Sequence, residues 1–231
     1  MIKKVSIAYS NFNEEKFVIK NLKKIKKILR KIKNFKYELI VIDDCSSEKQ
    51  DKLIDFCKKK KIKLIFNKKN SGFYKCFLVG LAEAKYEYYK FFAGDDCTNY
   101  KDIAKIFMLT GSSDLIIPYN IQKNVKGKPL SRKFISILYT MIVNILSGIS
   151  IKYYNGLPVY NKKKIIPYLP DASGYGWQAE LIVNCIFNGL TYKEILTNNK
   201  EIKFKYSSTN LKYVPSVFFS LIKILVKRFK K

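Results

Sequence analysis

Five short apolar runs, the first four each leading into a stretch of helical period, constrain this chain more than any other feature. Val5 to Tyr9, Tyr37 to Ile42, Ile62 to Phe66, Tyr88 to Ala93 and Asp114 to Pro118 have the length and the β-branched or aromatic content of buried strands. After the first run, Asn13 is placed to cap a helix that opens with Glu14 and Glu15, whose charges suit a positive helix end. Val18, Leu22, Ile25, Leu29 and Ile32 then recur at three- and four-residue spacing and define one apolar helical face. Leu53, Ile54 and Cys57 mark the inner face of a second helix. Asn70-Ser71-Gly72 reads as a turn into a third helix carrying Phe77, Gly80, Leu81 and Ala84, and Ile103 to Met108 as a fourth. Strands alternating with helices imply parallel pairing and a layered α/β sheet. Ligands of such sheets bind at the carboxyl ends of the strands. Two acidic pairs, Asp43-Asp44 and Asp95-Asp96, fall at such ends, so the topology can bring them to one crevice.

The chain has no histidine, which excludes Ser-His-Asp and Cys-His catalysis and His-ligated metal sites. A metal here would be held by carboxylates, which favours Mg²⁺ or Mn²⁺ beside a phosphate. The five cysteines are odd in number and lack C-x-x-C spacing, as expected of reduced thiols in a cytosolic protein. Met1 leads directly into the first strand, so no signal peptide is expected. Lys and Arg number 45 against 18 Asp and Glu, a net charge of +27 that attracts nucleic acid, anionic lipid or phosphorylated substrates. The lysines are spread over nearly every predicted helix, and a purely compositional origin is the even alternative. No helix-turn-helix, zinc-finger or RNP-like signature accompanies them. A non-catalytic nucleic-acid-binding protein is therefore the rival reading, and nucleic acid is not the expected partner.

The second half loses the alternation. Phe134 to Ile151 contains no charged residue, a length at the lower limit for crossing a bilayer. Ser136, Thr140, Asn144 and Ser147 recur at helical spacing, and Arg132 continues the stripe upstream. An interfacial amphipathic helix over 132–150 is preferred to a spanning one, with a core helix as the competing reading. Val214 to Lys231 is apolar with a Lys/Arg-rich end, fitting either an anionic surface or a docked terminal helix. The expected organisation is a nucleotide-binding half over 1–118, an acceptor half over 119–210 and a basic amphipathic segment over 211–231.

Moving a sugar from a nucleotide diphosphate requires a held nucleoside, a neutralised diphosphate and a positioned acceptor. A divalent ion on one or two carboxylates commonly neutralises the diphosphate, and Asp95 and Asp96 in a Gly-Asp-Asp turn after an apolar strand suit that task. The order of motifs adds to this. Val5-Ser6-Ile7-Ala8-Tyr9-Ser10-Asn11-Phe12-Asn13-Glu14-Glu15 resembles the opening V-S-V-V-I-P-A-Y-N-E-E of family 2 glycosyltransferases. Leu39 to Ser47 resembles their V-V-D-D-G-S segment, Asn70-Ser71-Gly72 their N-x-G helix start, and Phe91-Phe92-Ala93-Gly94-Asp95-Asp96 their metal-binding D-x-D turn. Farther on, Tyr153 to Tyr160 and Gly176-Trp177-Gln178-Ala179-Glu180 are similar to segments of the dolichol/polyprenyl-phosphate mannosyltransferase-like branch. Arg132 and Ser136 match two residues that in that branch contact a lipid phosphate; a four-residue step puts both on one helical face.

The resemblance implies a Rossmann-like A-type glycosyltransferase fold, with a mainly parallel sheet and helices on both faces, and inverting transfer from a UDP- or GDP-linked sugar. It implies nucleotide contacts from Ser10, Phe12, Glu14, Asp43, Asp44, Asn70 and Gly72, with Asp44 on the pyrimidine edge. Asp95 and Asp96 would hold Mg²⁺ or Mn²⁺ and the diphosphate. Arg132, Ser136, Trp177 and Gln178 would meet the acceptor, and Glu180 or Asp171 would serve as base for a hydroxyl acceptor; for Glu180 a plain helix-start carboxylate is the equal alternative. A polyprenyl phosphate at the cytosolic face of a membrane and a glycan hydroxyl are the two acceptor classes. The chain departs from the family pattern at Ser10, at Gly94 (where the first Asp of D-x-D usually stands) and at Asn120. The donor-covering loop is only loosely echoed around Lys203 to Asn210.

Overall fold

The computed structural model describes residues 2–96, 98–121, 125, 128–171, 174–198 and 214–229; the loose donor-loop echo at Lys203 to Asn210 lies outside them. In chain order the elements are β1 (Lys3–Asn11), α1 (Glu15–Leu29), β2 (Phe35–Asp43), α2 (Asp51–Lys60), β3 (Lys63–Phe66), α3 (Phe73–Glu83), β4 (Tyr88–Phe92), α4 (Tyr100–Leu109), β5 (Leu115–Tyr119) and α5 (Leu130–Ser147). They continue as β6 (Val159–Asn161), α6 (Lys162–Ile165) with a 3-10 turn over Ile166–Tyr168, α7 (Trp177–Phe187), β7 (Tyr192–Leu196) and α8 (Val214–Phe229). Two compact units form, and they do not follow chain order. One holds Met1–Asp96, Tyr100–Ser112 and Pro158–Lys163; the other holds Cys97–Asn99, Ser113–Leu157 and Lys164–Lys231.

In the first unit the strands run β3-β2-β1-β4-β6, parallel except for β6, which pairs antiparallel with β4. The register sets Asn11 opposite Asp43 and Tyr9 opposite Phe92, so the carboxyl ends of β1, β2 and β4 finish together. Alternation along each strand sends Val5, Ile7, Tyr9, Leu39 and Val41 to one face, where they meet Val18, Leu22, Ile25 and Leu29 of α1, Leu53 and Cys57 of α2, and Ile103 and Phe107 of α4. Each such fully buried aliphatic or aromatic side chain contributes about 1.5–3 kcal/mol. Helix α3 covers the opposite face. Its Gly80 lies so close that an added Cβ would sit 2.4 Å from the Tyr89 hydroxyl and 3.0 Å from the Ala8 Cβ. The expected helices on both faces of a parallel sheet are therefore present.

Two local expectations change. Ile54, expected on the inner face of α2, is exposed, because only Leu53 and Cys57 of that helix are buried. Asn13 does not cap α1. It adopts a left-handed φ of 57° and turns its amide to Ser47 and the Glu48 N–H, while the Asn11 side-chain oxygen accepts from the Glu14 N–H.

In the second unit β5 and β7 pair in parallel. Helix α7 is buried along Trp177 to Cys185. Helix α5 buries only Val143 and Ser147, which removes the core-helix reading. Its stripe Arg132, Ser136, Thr140 and Asn144 is half-buried, while Phe134, Ile137, Leu138, Met141 and Ile145 are exposed. By length and composition α5 is long and apolar enough to cross a membrane, with 11% of it buried. Helix α8 buries Ser220 and Ile224 and exposes Phe218, Phe219, Ile222, Val226 and Phe229.

Candidate functional site

The carboxyl ends of β1 and β2 carry a hydrogen-bonded cluster. Asp43 is enclosed, 2% exposed. It accepts from the Asn11 amide, from the Ser46 hydroxyl at 2.6 Å and from the Ser46 N–H at 2.9 Å, so its carboxylate builds the turn after β2. Asn11 also donates to Gln50 at 2.8 Å, and its carbonyl accepts from the Asp44 N–H at 2.8 Å. Asp44 points elsewhere. It accepts from the Asn67 amide (2.8 Å) and the Ser71 N–H (2.9 Å) on one oxygen and from the Gly72 N–H (2.8 Å) on the other. It thereby ties β2 to the start of α3, where Gly72 holds a φ of 85° that a side chain would strain. Asp44 is itself buried, 5% exposed, and the Cys76 thiol also lies within reach of its carboxylate.

The Gly94-Asp95-Asp96 turn follows β4 and is closed by the Asp96 N–H donating to the Ala93 carbonyl at 3.1 Å. Asn21 of α1, 7% exposed, donates to the Gly94 carbonyl at 2.8 Å and fixes the turn from below. Gly94 is wedged in. An added Cβ would lie 2.5 Å from a Glu14 carboxylate oxygen and 2.6 Å from the Ser10 carbonyl oxygen. The missing first carboxylate of the D-x-D pattern thus has a steric cause, and Glu14 occupies the neighbouring space. Burial, and secondly the charge of Asp95, push the Glu14 carboxyl up to about 7. Asp96 acts instead on Tyr9, whose phenol is raised mainly by burial, and on Lys90, whose ammonium burial pulls down to about 7 against the pull of Asp96.

The structure therefore gathers Ser10, Glu14, Gly94 and Asp95 around one turn, and Asp44, Ser71 and Gly72 around another. Phe12 and Asn70 are exposed loop residues. Asn11, Asn21 and Asn67 hold both turns and were not singled out from sequence; a lone Asn inside an apolar face, as at 21, is the only signal that points to such a role. The charges of Glu14 and Asp95 repel, and a divalent cation near both would relieve that repulsion. Among the described residues no three acidic or cysteine side chains form a ready cage. A cation here would thus complete its shell with diphosphate oxygens and water.

The second unit places Arg132 and Ser136 on one half-buried face of α5. The Ser136 hydroxyl donates to the Arg132 backbone carbonyl at 2.9 Å and accepts from the Lys128 ammonium at 2.7 Å, so one cationic side chain and a hydroxyl meet on this face, one turn from Arg132. Trp177 and Gln178 are buried, and Gln178 donates to the Tyr154 carbonyl at 2.7 Å, so Gln178 braces the Tyr153 to Gly156 turn. Glu180 is 2% exposed. One of its oxygens lies 3.9 Å from the Lys227 ammonium, and the other, like the nearby Tyr139 hydroxyl, has no hydrogen-bond partner among the described residues. Burial raises the Glu180 carboxyl, Lys223 and Lys227 oppose that, and exposed Asp171 adds to it. Lys227 and Asp171 also line a cavity of about 420 Å³ with Tyr168, Asn184 and Asn188.

Parallel strands with helices on both faces, and carboxylate-bearing turns at adjacent carboxyl ends, define a layered α/β architecture of the A-type glycosyltransferase kind. Known proteins narrow this. The model of glycosyl transferase family 2 matches residues 6–151, more than half of the chain. The chain belongs to glycosyl transferase family 2. An uncharacterised protein of Methanocaldococcus jannaschii is 33% identical over 147 residues, 59% of this chain and 61% of that protein, so the chain spans less than two thirds of this relative. Among solved structures, glucosyl-3-phosphoglycerate synthase from Mycobacterium tuberculosis with Mn²⁺, UDP-glucose and phosphoglyceric acid superposes with a TM-score of 0.70 at 14% identity, covering 98% of this chain and 79% of that one. S. aureus TarS 1–349 with UDP-GlcNAc gives 0.65 at 20% identity, covering 97% and 66%. At these identities the likeness is one of fold.

Proposed function

We propose that the protein is an inverting glycosyltransferase that takes a sugar from a UDP- or GDP-linked donor. The observation that carries this reading is the pair of turns at the carboxyl ends of β2 and β4: Asp44 clamped to the start of α3, and Glu14 packed against Gly94 of the Gly94-Asp95-Asp96 turn. Asp44 turns its carboxylate to the base, and the Ser10 to Glu14 turn lines the nucleoside. Asp95 and Asp96, with Glu14 beside them, hold Mg²⁺ or Mn²⁺, which when bound neutralises the leaving diphosphate. The relatives solved with UDP, UDP-sugar and Mn²⁺ support this reading.

For the acceptor we propose a polyprenyl phosphate or a related membrane-associated phosphate, reached at the cytosolic face, as in the dolichol/polyprenyl-phosphate mannosyltransferase-like branch. The contact of the Lys128 ammonium with the Ser136 hydroxyl, one helical turn from Arg132, favours a phosphate, which is already a nucleophile and needs little base assistance. The buried Glu180, with an oxygen that has no partner among the described residues, favours the second reading, a glycan hydroxyl from which Glu180 takes the proton.

Turnover tests both. Purified protein with UDP-glucose, UDP-GlcNAc or GDP-mannose and Mn²⁺ should release nucleotide, faster with polyprenyl phosphate present. The paired substitution Asp95→Ala and Asp96→Ala should lower release by about 10²-fold or more, the usual loss for a group that stabilises developing charge. Undiminished release in that variant contradicts the site. Acceleration by a glycan but not by polyprenyl phosphate, lost in Glu180→Gln, selects the second reading.

A further inference from the structure

We propose that α5 and α8 together form a two-helix platform that lies flat on an anionic lipid bilayer. The proposal rests on the membrane-side acceptor of the reading above and names the surface that would meet the membrane. The two helices run side by side in the same direction. Tyr139 of α5 and Ser220 of α8 both approach the position a Gly176 Cβ would take, and farther along Arg228 of α8 donates to the Ile145 and Leu146 carbonyls of α5 at 2.7 and 3.4 Å.

Both helices turn polar groups inward and apolar groups outward. On α5 the inward stripe satisfies itself: Thr140 donates to the Ser136 carbonyl at 3.0 Å, Asn144 bridges both backbone groups of Ile151, and Ser147 donates to the Val143 carbonyl at 2.7 Å. The outward arc is Phe134, Ile137, Leu138, Met141 and Ile145, all more than a third exposed. On α8, Ser216 and Ser220 pack against Gly174 and Gly176, where an added Cβ would lie 2.8 and 2.4 Å from the serine Cβ atoms. That close small-on-small contact leaves Phe218, Phe219, Ile222, Val226 and Phe229 on the outward arc. The C-terminal helix therefore supplies a second apolar face as well as basic charge.

Charge identifies the occupant. Neither helix contains an acidic residue. Lys128, Arg132 and Lys133 stand at the start of α5, Lys152 just beyond its end, and Lys223, Lys227 and Arg228 on α8. Anionic headgroups attract such a rim by about 1 kcal/mol per nearby Lys or Arg, whereas a second copy of this chain brings the same +27 and repels. Helical backbone is hydrogen-bonded internally, and Arg228 covers carbonyls at the end of α5, so the face can enter lipid without baring polar groups.

Co-sedimentation of the full chain with phosphatidylglycerol/phosphatidylcholine vesicles tests the platform. Met141→Glu on α5 and Ile222→Glu on α8 each place a carboxylate on the outward arc without touching the inward contacts. The wild type should pellet with the anionic vesicles and be partly released by salt, and each variant should bind about tenfold more weakly or less. Trp177, the single tryptophan, is 4% exposed, and unchanged emission reports an intact second unit. If a variant fails that check, the paired polar change Ile137→Ser and Phe218→Ser replaces it with the same expectation. UDP binding measured on the same samples should not change. Loss of UDP binding throughout, with vesicle binding intact, would overturn the donor reading and leave the platform standing. A wild type that stays in the supernatant at low salt overturns the platform. So do vesicle binding that is equal in wild type and both variants, and a stable dimer that Met141→Glu dissolves.

Discussion

The Asp44 carboxylate accepts from one side-chain amide and two backbone N–H groups, so its removal strands three donors at the start of α3. Hydrogen bonds to a charged group are worth about 1.5–3 kcal/mol. Asp44→Ala should therefore lower stability by about 2–3 kcal/mol in urea denaturation and weaken nucleotide binding with or without metal. Asp44→Asn, which keeps one acceptor oxygen, should fall between. Half-buried Glu14 and buried Lys90 give opposite pH signatures. Glu14 holds its proton to about 7 in the folded chain against an ordinary 4.5, so stability falls as pH rises through that window. Lys90, near 7 against an ordinary 10.5, makes the unfolded chain the better proton binder between those values, so stability rises there. Glu14→Gln should gain on the wild type from pH 5 to pH 7 and then hold its gain. Lys90→Met should be more stable by about 1–3 kcal/mol at pH 6, as for other buried charges replaced by packed apolar groups, and its advantage should shrink above pH 8. Thermal melts at four pH values decide both. The acidic pairs were legible in the sequence as pairs. Which member faces a ligand was not, because neighbouring strand residues point to opposite faces and only the partners reveal that Asp43 is enclosed and Asp44 reaches α3.

Elements show the same division. Every strand and helix from β1 to α4 was legible within a few residues, since period and apolar content set them. The wedge at Gly94 was not, because it depends on Glu14 and Ser10 arriving from β1 and its turn. Gly94→Ala should push that turn away, lowering both melting temperature and nucleotide affinity, whereas Gly189→Ala, with open space at its Cβ, should cost only its backbone strain. A variant at 94 that melts and binds like wild type would contradict the packing. Helix α5 teaches a different limit. Its two-sided pattern was plain, but the same period fits an apolar face turned in or out, and only burial shows that the polar stripe is the inward one.

At the scale of the molecule, the basic charge and the lack of histidine narrow the chemistry, and the order of four motifs points to the family. The division into units was not legible, because Pro158–Lys163 returns to the first unit through β6, a three-residue strand too short to declare itself. The central claim is that the first unit carries a metal-assisted nucleoside diphosphate site. Calorimetric titration of UDP and GDP into the full chain, with and without Mn²⁺, tests it most directly. Binding tightened by Mn²⁺, with that gain lost in the paired Asp95→Ala and Asp96→Ala variant and the metal-free affinity reduced in Asp44→Ala, is the predicted result. Binding that ignores Mn²⁺ and both sets of substitutions, or no binding of either nucleotide, would contradict it.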